Sequence, residues 1–147
     1  MSVSVKVKLL CPIADVPKFA TEDSACADLH ACLVEGRVVI DPQETAMIPL
    51  GFATEIPEGY CALIYARSGA AVKRGIAPAN KVGVIDSDYR GEWMVALHNH
   101  SKKSVVIEDG ERIAQVMVVP VPKVVFEVVS ELNDTGRGSG GFGSTGK

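Results

Sequence analysis

No C-x-x-C pair occurs in this sequence, although it holds four cysteines, at Cys11, Cys26, Cys32 and Cys61. Closely spaced thiols are what zinc knuckles and dithiol redox centres are built on, so the spacing argues against zinc and still more against a redox pair. Aromatic residues are scarce, 5% with a single Trp, which leaves no stacking platform for single-stranded nucleic acid. Positive charge is short as well. Fifteen Lys and Arg against 18 Asp and Glu give a net charge of -3, the wrong sign for a general nucleic-acid binder. No run approaches the ~20 apolar residues of a membrane span. The opening MSVSVKVKLL alternates instead of forming the continuous apolar stretch of a signal peptide. These absences point to a cytoplasmic protein with free, mostly buried thiols that binds neither nucleic acid nor membrane.

What the sequence does contain is strand signal. Its 147 residues fit one domain with a real core. VSVKVKLL places Val3, Val5 and Val7 on one face and Ser4 and Lys6 on the other. RVVI, TAMIPL, YCALIYA, VGVI, WMVALHNH, SVVIE, RIAQVMVV and KVVFEVV follow, each β-branched or apolar and separated by turn clusters such as DPQE, IPEGY and EDGER. The spacing suits a sandwich or barrel, so the expected class is all-β. ARSGAAVKRG alone has room for a helix, expected over Ser68–Lys73 and closed by Gly75, with Ser68 able to serve as its N-cap. From Asn133 the composition turns to Gly, Ser and Thr. We read a single β domain over residues 1–132 and a flexible arm over 133–147.

Several short stretches carry chemistry. In GVIDSDYRGEW an apolar strand ends at Asp86, and a turn with Asp88, Tyr89, Arg90 and Gly91 follows. A calcium loop starting at Asp86 fails, because Arg90 stands at a ligand position and Leu97 where a bidentate Glu belongs. A carboxylate at the end of a buried strand remains, and partial burial would suit it to general-base work. YARSGAAVKRG brings Arg67, Ser68 and Gly69 to a strand-to-helix turn, where guanidinium, hydroxyl and free amides suit an anion. DGERIAQVMVV supplies Arg112 and Gln115 at a strand start, and Asp28 in DSACADLHA is half-buried and needs a partner. His98 and His100 share a strand face but lack a third metal ligand, so they read as surface polar groups. The final residues, Gly141 to Lys147, spell G-x-x-x-x-G-K without the helix that a Walker loop requires.

In order, D-x-x-x-x-D-L-x-A, R-S-G, N-x-x-G-x-I-D-x-D-Y-R-G, G-E-R-I-A-Q and R-G-x-G-G-F-G-S-T-G form a five-part series from about Ala25 to Gly146. The series resembles the homotrimeric deoxyuridine triphosphate nucleotidohydrolases (dUTPases). Cys26, Ala27 and Ala66 depart from that pattern and affect the local shape of two turns. The resemblance implies a distorted jelly roll that trimerises, with three active sites at subunit contacts and dUTP as substrate. It implies that Asp86 activates a water for attack on the α-phosphorus, with Gln115 near that water. Asp28 would help hold Mg²⁺ through water, the metal being carried mainly by the triphosphate. Arg67, Ser68, Gly69 and Gln115 would contact phosphates. The Asn80–Asp86 hairpin, with Asn80 and the backbone of Gly83, Val84 and Ile85, would receive uracil, and Tyr89 would lie under the deoxyribose. The arm would close over the nucleotide of a neighbouring site, with Phe142 on uracil, Arg137 on phosphate, and Gly143, Ser144 and Thr145 wrapping the γ-phosphate. A dCTP deaminase would carry a catalytic Glu where this chain reads Val95-Ala96-Leu97. A non-catalytic dUTP-binding regulator would have lost Asp86, Gln115 or the arm. All three are present.

Overall fold

The β-branched runs form antiparallel strands in the computed structural model, which describes residues 2–143. In chain order these are β1 (Lys6–Leu9), β2 (Lys18–Phe19), β3 (Ala27–His30), β4 (Arg37–Ile40), β5 (Thr45–Pro49) and β6 (Phe52–Glu55). There follow β7 (Tyr60–Tyr65), β8 (Ile76–Pro78), β9 (Gly83–Ile85), β10 (Met94–Asn99), β11 (Val105–Glu108) and β12 (Arg112–Pro120). A five-stranded sheet runs β2-β3-β12-β7-β9, a three-stranded one β5-β10-β8, and β1-β6 and β11-β4 make pairs. The architecture is all-β, as the alternation predicts, and of the jelly-roll type that the resemblance implies.

Period-two burial sets the faces. Along β10, Val95, Leu97 and Asn99 are buried while Met94 points out. Leu29, Ile48, Leu50, Phe52, Leu97, Ile107 and Ile113 are wholly buried and fill the space between the sheets. Two of the scarce aromatics sit in the centre, where the Phe52 and Trp93 rings meet at 5.3 Å and 43°. The indole N–H of Trp93 donates to Thr54 Oγ1 at 3.1 Å, which satisfies a donor that would be costly to bury alone. Asn99, also wholly buried, donates to the carbonyls of Ile40 (2.9 Å) and Lys103 (2.8 Å) and accepts from the Ser101 amide. It pins the β10–β11 connection to β4.

Three expectations change. The helix is a single wide turn over Ala70–Arg74, closed by Gly75 at φ 68°, as the sequence suggested at that end. At the other end Gly69 occupies the capping position and no side chain caps, so Ser68 is not an N-cap. Short β6 and β8 form where no strong apolar run stood out, because β1 and β10 offer them edges to pair with. KVVFEVV forms no strand. β12 ends at Pro120, the Val121 amide donates to Gly59 O at 2.7 Å, and Lys123 pairs with Glu58. Beyond that point Val125, Phe126 and Val128 are almost fully exposed. The alternation is present, but no edge of its own chain meets it. Val3, Val5 and Val7 do share a face. With Val16, Phe19 and Val118 they line an apolar groove of about 600 Å³.

Gly51, just before β6, has φ 74°, and a Cβ there would stand 2.6 Å from Cys32 Sγ and 2.7 Å from Ala14 Cβ. Gly51→Ala should therefore destabilise the protein by about 1–3 kcal/mol through overpacking alone. A urea titration should show a lower midpoint with unchanged slope.

Candidate active site

β12 brings the first group of candidate residues together. Gln115 on β12 is in register with Asp28 on β3 and Tyr65 on β7, which makes one row across three strands. The Gln115 side-chain amide donates to Ala66 O at 2.9 Å and so anchors the turn that follows β7. That turn presents Arg67, Ser68 and Gly69. Ser68 and Gly69 are exposed, and the space over Gly69 is open. Arg67 Nε donates to Asp28 Oδ1 at 2.7 Å, and Arg112 Nη1 donates to Asp28 Oδ2 at 3.2 Å. Asp28 is buried, so two guanidiniums around one carboxylate supply the partners that its position demands. A register shift between Arg112 and Ala114 re-aims the start of β12. Arg112 also joins Arg67, Gly69, Lys73, Arg74 and Glu111 around a cavity of about 280 Å³. Of its seven lining residues four are cations against one carboxylate, so the cavity suits an anion.

The second group lies at the β8–β9 hairpin. Asn80 is exposed at the turn, and its amide folds over Gly83. A Cβ at Gly83 would press on Ile64 Cβ at 3.2 Å, so glycine lets the hairpin lie close on β7. Gly83, Val84 and Ile85 pair with Ile64, Leu63 and Ala62. The Tyr89 amide donates to Asp86 O at 3.2 Å, closing the turn after β9. The Tyr89 ring lies against Gly91, where a Cβ would come within 2.5 Å of Cζ, and its hydroxyl donates to Glu92 O at 3.1 Å. A Cβ at 91 would collide with the ring, so glycine there makes room for it. Asp86 is exposed beside a cavity of about 540 Å³ that it shares with Tyr60, Asp88 and Lys123. The partial burial expected of this carboxylate is not supplied by its own chain.

These two groups are not adjacent. Asp86 follows Ile85, which pairs with Ala62, whereas Gln115 pairs with Tyr65. About four residues of β7 separate the rows, on the order of 13 Å at the rise of an extended strand. A general base must reach its proton directly or through one water, so a single chain does not bring Asp86 to the Arg67 turn. The arm joins neither group. Arg137 folds onto its own turn, with Nε donating to Gly140 O at 2.8 Å, and Phe142 is fully exposed. Gly143 is the last residue described, and Ser144 and Thr145 lie outside the described residues.

Among the described residues no three His, Cys, Asp or Glu side chains cluster as a metal cage. His98 and His100 do share a face, with ring centroids 4.4 Å apart, and His98 Nδ1 bonds Thr45 Oγ1 at 2.9 Å. Desolvation, with His98 and Lys81 nearby, holds His100 below the ordinary histidine range. Sequence reasoning gave Arg112 no role in the site. The signal that could have found it was a second cation beside a half-buried acid.

An arginine-lined cavity and a separate carboxylate hairpin on an all-β fold are parts that a nucleotide-processing hydrolase would use. Comparison with known proteins makes this specific. The dUTPase family profile matches residues 13–146. The deoxyuridine 5'-triphosphate nucleotidohydrolase of Hahella chejuensis is 48% identical over 132 residues, covering 89% of this chain and 86% of that one. The protein of that name from Desulfitobacterium hafniense is 47% identical over 148 residues, covering 97% of each. Among solved structures, the dUTPase of Staphylococcus bacteriophage 80alpha with dUpNHpp superposes with a TM-score of 0.88 at 30% identity, covering 98% of this chain and 99% of that one. The dUTPase of phage phi11 of S. aureus gives 0.80 at 25% identity, with 90% and 99% covered. The chain belongs to the dUTPase family and is a dUTP diphosphatase.

Removing the charge at Asp28 leaves two guanidiniums around a neutral amide. Asp28→Asn should lower stability by about 1–3 kcal/mol, the usual cost of losing charged hydrogen bonds at a largely buried site. Arg112→Gln should cost less than Arg67→Gln, because the Arg112 side chain is 52% exposed against 25% for Arg67. Urea unfolding of the three variants checks the order.

Proposed function

We propose that the enzyme converts dUTP to dUMP and pyrophosphate at sites shared between the subunits of a homotrimer, limiting uracil in DNA and supplying dUMP for dTTP synthesis. The observation that carries this reading is the split site: Asp86 and its hairpin stand about 13 Å along β7 from the row that holds Gln115, Asp28 and the Arg67 turn. Pairing the hairpin of one subunit with the Arg67 turn of another supplies both halves. Assembly also offers a surface to Val125, Phe126 and Val128, whose apolar side chains lack one in their own chain.

In this reading the β8–β9 hairpin holds uracil. Asn80 and the backbone of Gly83, Val84 and Ile85 match its O4 and N3–H edge, and cytosine would leave those groups mispaired. Tyr89, held against Gly91, fills the space beneath the sugar and excludes a 2′-hydroxyl. Arg67, Ser68, Gly69 and Gln115 bind the phosphates. Asp86 takes a proton from water as that water attacks the α-phosphorus, and the bond to the β-phosphate oxygen breaks to release pyrophosphate. Mg²⁺ would neutralise triphosphate charge, and the Asp28 carboxylate, with both oxygens engaged by arginines, fits an ion carried mainly by substrate. Asp28 would touch it through water, as suits an ion that dehydrates reluctantly. The arm from 133 onward closes over a neighbouring site, with Phe142 stacking on uracil and Arg137, Gly143, Ser144 and Thr145 on phosphates. Four free thiols suit a reducing cytoplasm.

Pyrophosphate release measured on dUTP, dTTP, dCTP and UTP, with and without Mg²⁺, should show turnover of dUTP alone and only with the metal. Asp86→Asn should lose at least ~10²–10⁴-fold in kcat, and Gln115→Ala should also be impaired as a pure oligomer. Co-refolding the two variants in equal amounts should recover about a quarter of the wild-type rate, since random pairing leaves about one subunit contact in four intact. No recovery would place both groups in one subunit and overturn the shared site.

Deleting residues 136–147 should leave the melting temperature nearly unchanged, because the arm buries no apolar side chain in its own chain. The same deletion should cut kcat sharply. Phe142→Ala should give part of that loss, with a stack worth ~1–3 kcal/mol removed.

A further inference from the structure

The spacing of the cysteines argued against a redox pair, yet folding brings two of them together. Cys11 lies in the segment between β1 and β2, and Cys32 follows β3. Both are fastened to the turn between β5 and β6. The amides of Leu10 and Cys11 donate to Gly51 O at 2.8 and 3.2 Å, and the Cys32 amide donates to Pro49 O at 2.9 Å. Cys32 Sγ lies over the face of Gly51 where a Cβ would otherwise stand, and Ala14 of the Cys11 segment borders the same spot. Burial and the neighbouring Cys11 side chain raise the proton affinity of Cys32. Cys11 reaches solvent and Cys32 is buried, whereas Cys26 and Cys61 lie elsewhere, just before β3 and in β7.

We propose that Cys11 and Cys32 are a dithiol that a low-molecular-weight disulfide such as oxidised glutathione converts into an intramolecular disulfide. Cys11, the accessible member, attacks as thiolate on one glutathione sulfur. A Cys11–glutathione disulfide forms and one glutathione thiolate leaves. Cys32 then gives up its proton to solvent and attacks the Cys11 sulfur, and the second glutathione leaves. Two protein thiols are oxidised and one glutathione disulfide is reduced to two glutathiones, so the exchange balances.

Physical chemistry assigns the order of attack. Burial first, then the side chain and charge of Cys11, push the Cys32 thiol up to about 12. Cys32 therefore stays the protonated member of the pair, which leaves the first attack to the accessible Cys11. Once Cys11 is capped, its charge no longer opposes Cys32 ionisation, and burial with the charges of Asp109 and Glu92 is what remains. The sulfurs must then close to about 2.05 Å, which the loop-borne Cys11 segment can do more readily than the end of β3. The bond would tie the segment carrying β2, Val16 and Phe19, which line the apolar groove, to the body of the barrel.

The test is incubation of the intact protein with oxidised glutathione, followed by thiol counting in denaturant and a disulfide map. Cleavage before aspartates separates Cys11, Cys26 and Cys32 into peptides 1–14, 23–27 and 28–40. The expected result is loss of two of the four thiols with peptides 1–14 and 28–40 joined, and a higher melting temperature that a thiol reductant reverses. Cys32→Ser should retain one glutathione on Cys11, and Cys11→Ser should show neither the link nor the rise in melting temperature. If Cys32→Ser fails to fold, the map and Cys11→Ser alone decide. Four retained thiols, a link through Cys26 or Cys61, or a link between chains would overturn the assignment.

Discussion

Pairing of β12 on both flanks is the constraint on which the site depends. This nine-residue strand bonds β3 on one side and β7 on the other, and its register fixes which side chains share a row. Gln115 falls between Asp28 and Tyr65 because of that register, and its amide then reaches Ala66 O. A slip of one residue would send Gln115 to the opposite face. Ile113, Ala114 and Val116, all buried, oppose such a slip because it would carry apolar groups out of the core.

The functional groups divide along β7. At one end the strand runs into the Arg67 turn, and at the other it supports β9 and Asp86. Neither half has the complement of groups that phosphoryl chemistry needs. The Arg67 half offers cations and open amides around a clamped, buried carboxylate. The Asp86 half offers an exposed carboxylate and a tyrosine held against a glycine. Asp86 is exposed, as are the apolar side chains of Val124, Val125, Phe126, Val128 and Val129.

Glycine allows close approach at several places. Gly83 lets the hairpin settle on Ile64, Gly91 seats the Tyr89 ring, and Gly51 makes room for Cys32 Sγ. In each case the neighbour would collide with a Cβ. Two of these contacts shape the candidate nucleotide pocket, and the third brings two thiols together.

Sequence alone determined the strand content, the position of most strands, the left-handed Gly75 stop and the family, because period-two alternation and short motifs are local properties of the chain. It also pointed to Asp28 as an acid needing a partner. Which partners it takes was decided only by folding, since Arg67 and Arg112 lie 39 and 84 positions away and only the sheet register brings them near. The same holds for Cys11 and Cys32, which no spacing rule would pair. KVVFEVV shows the converse. Its alternation is genuine, yet a strand exists only where an edge meets it, and hydrogen bonding across strands is a tertiary matter that no local pattern contains.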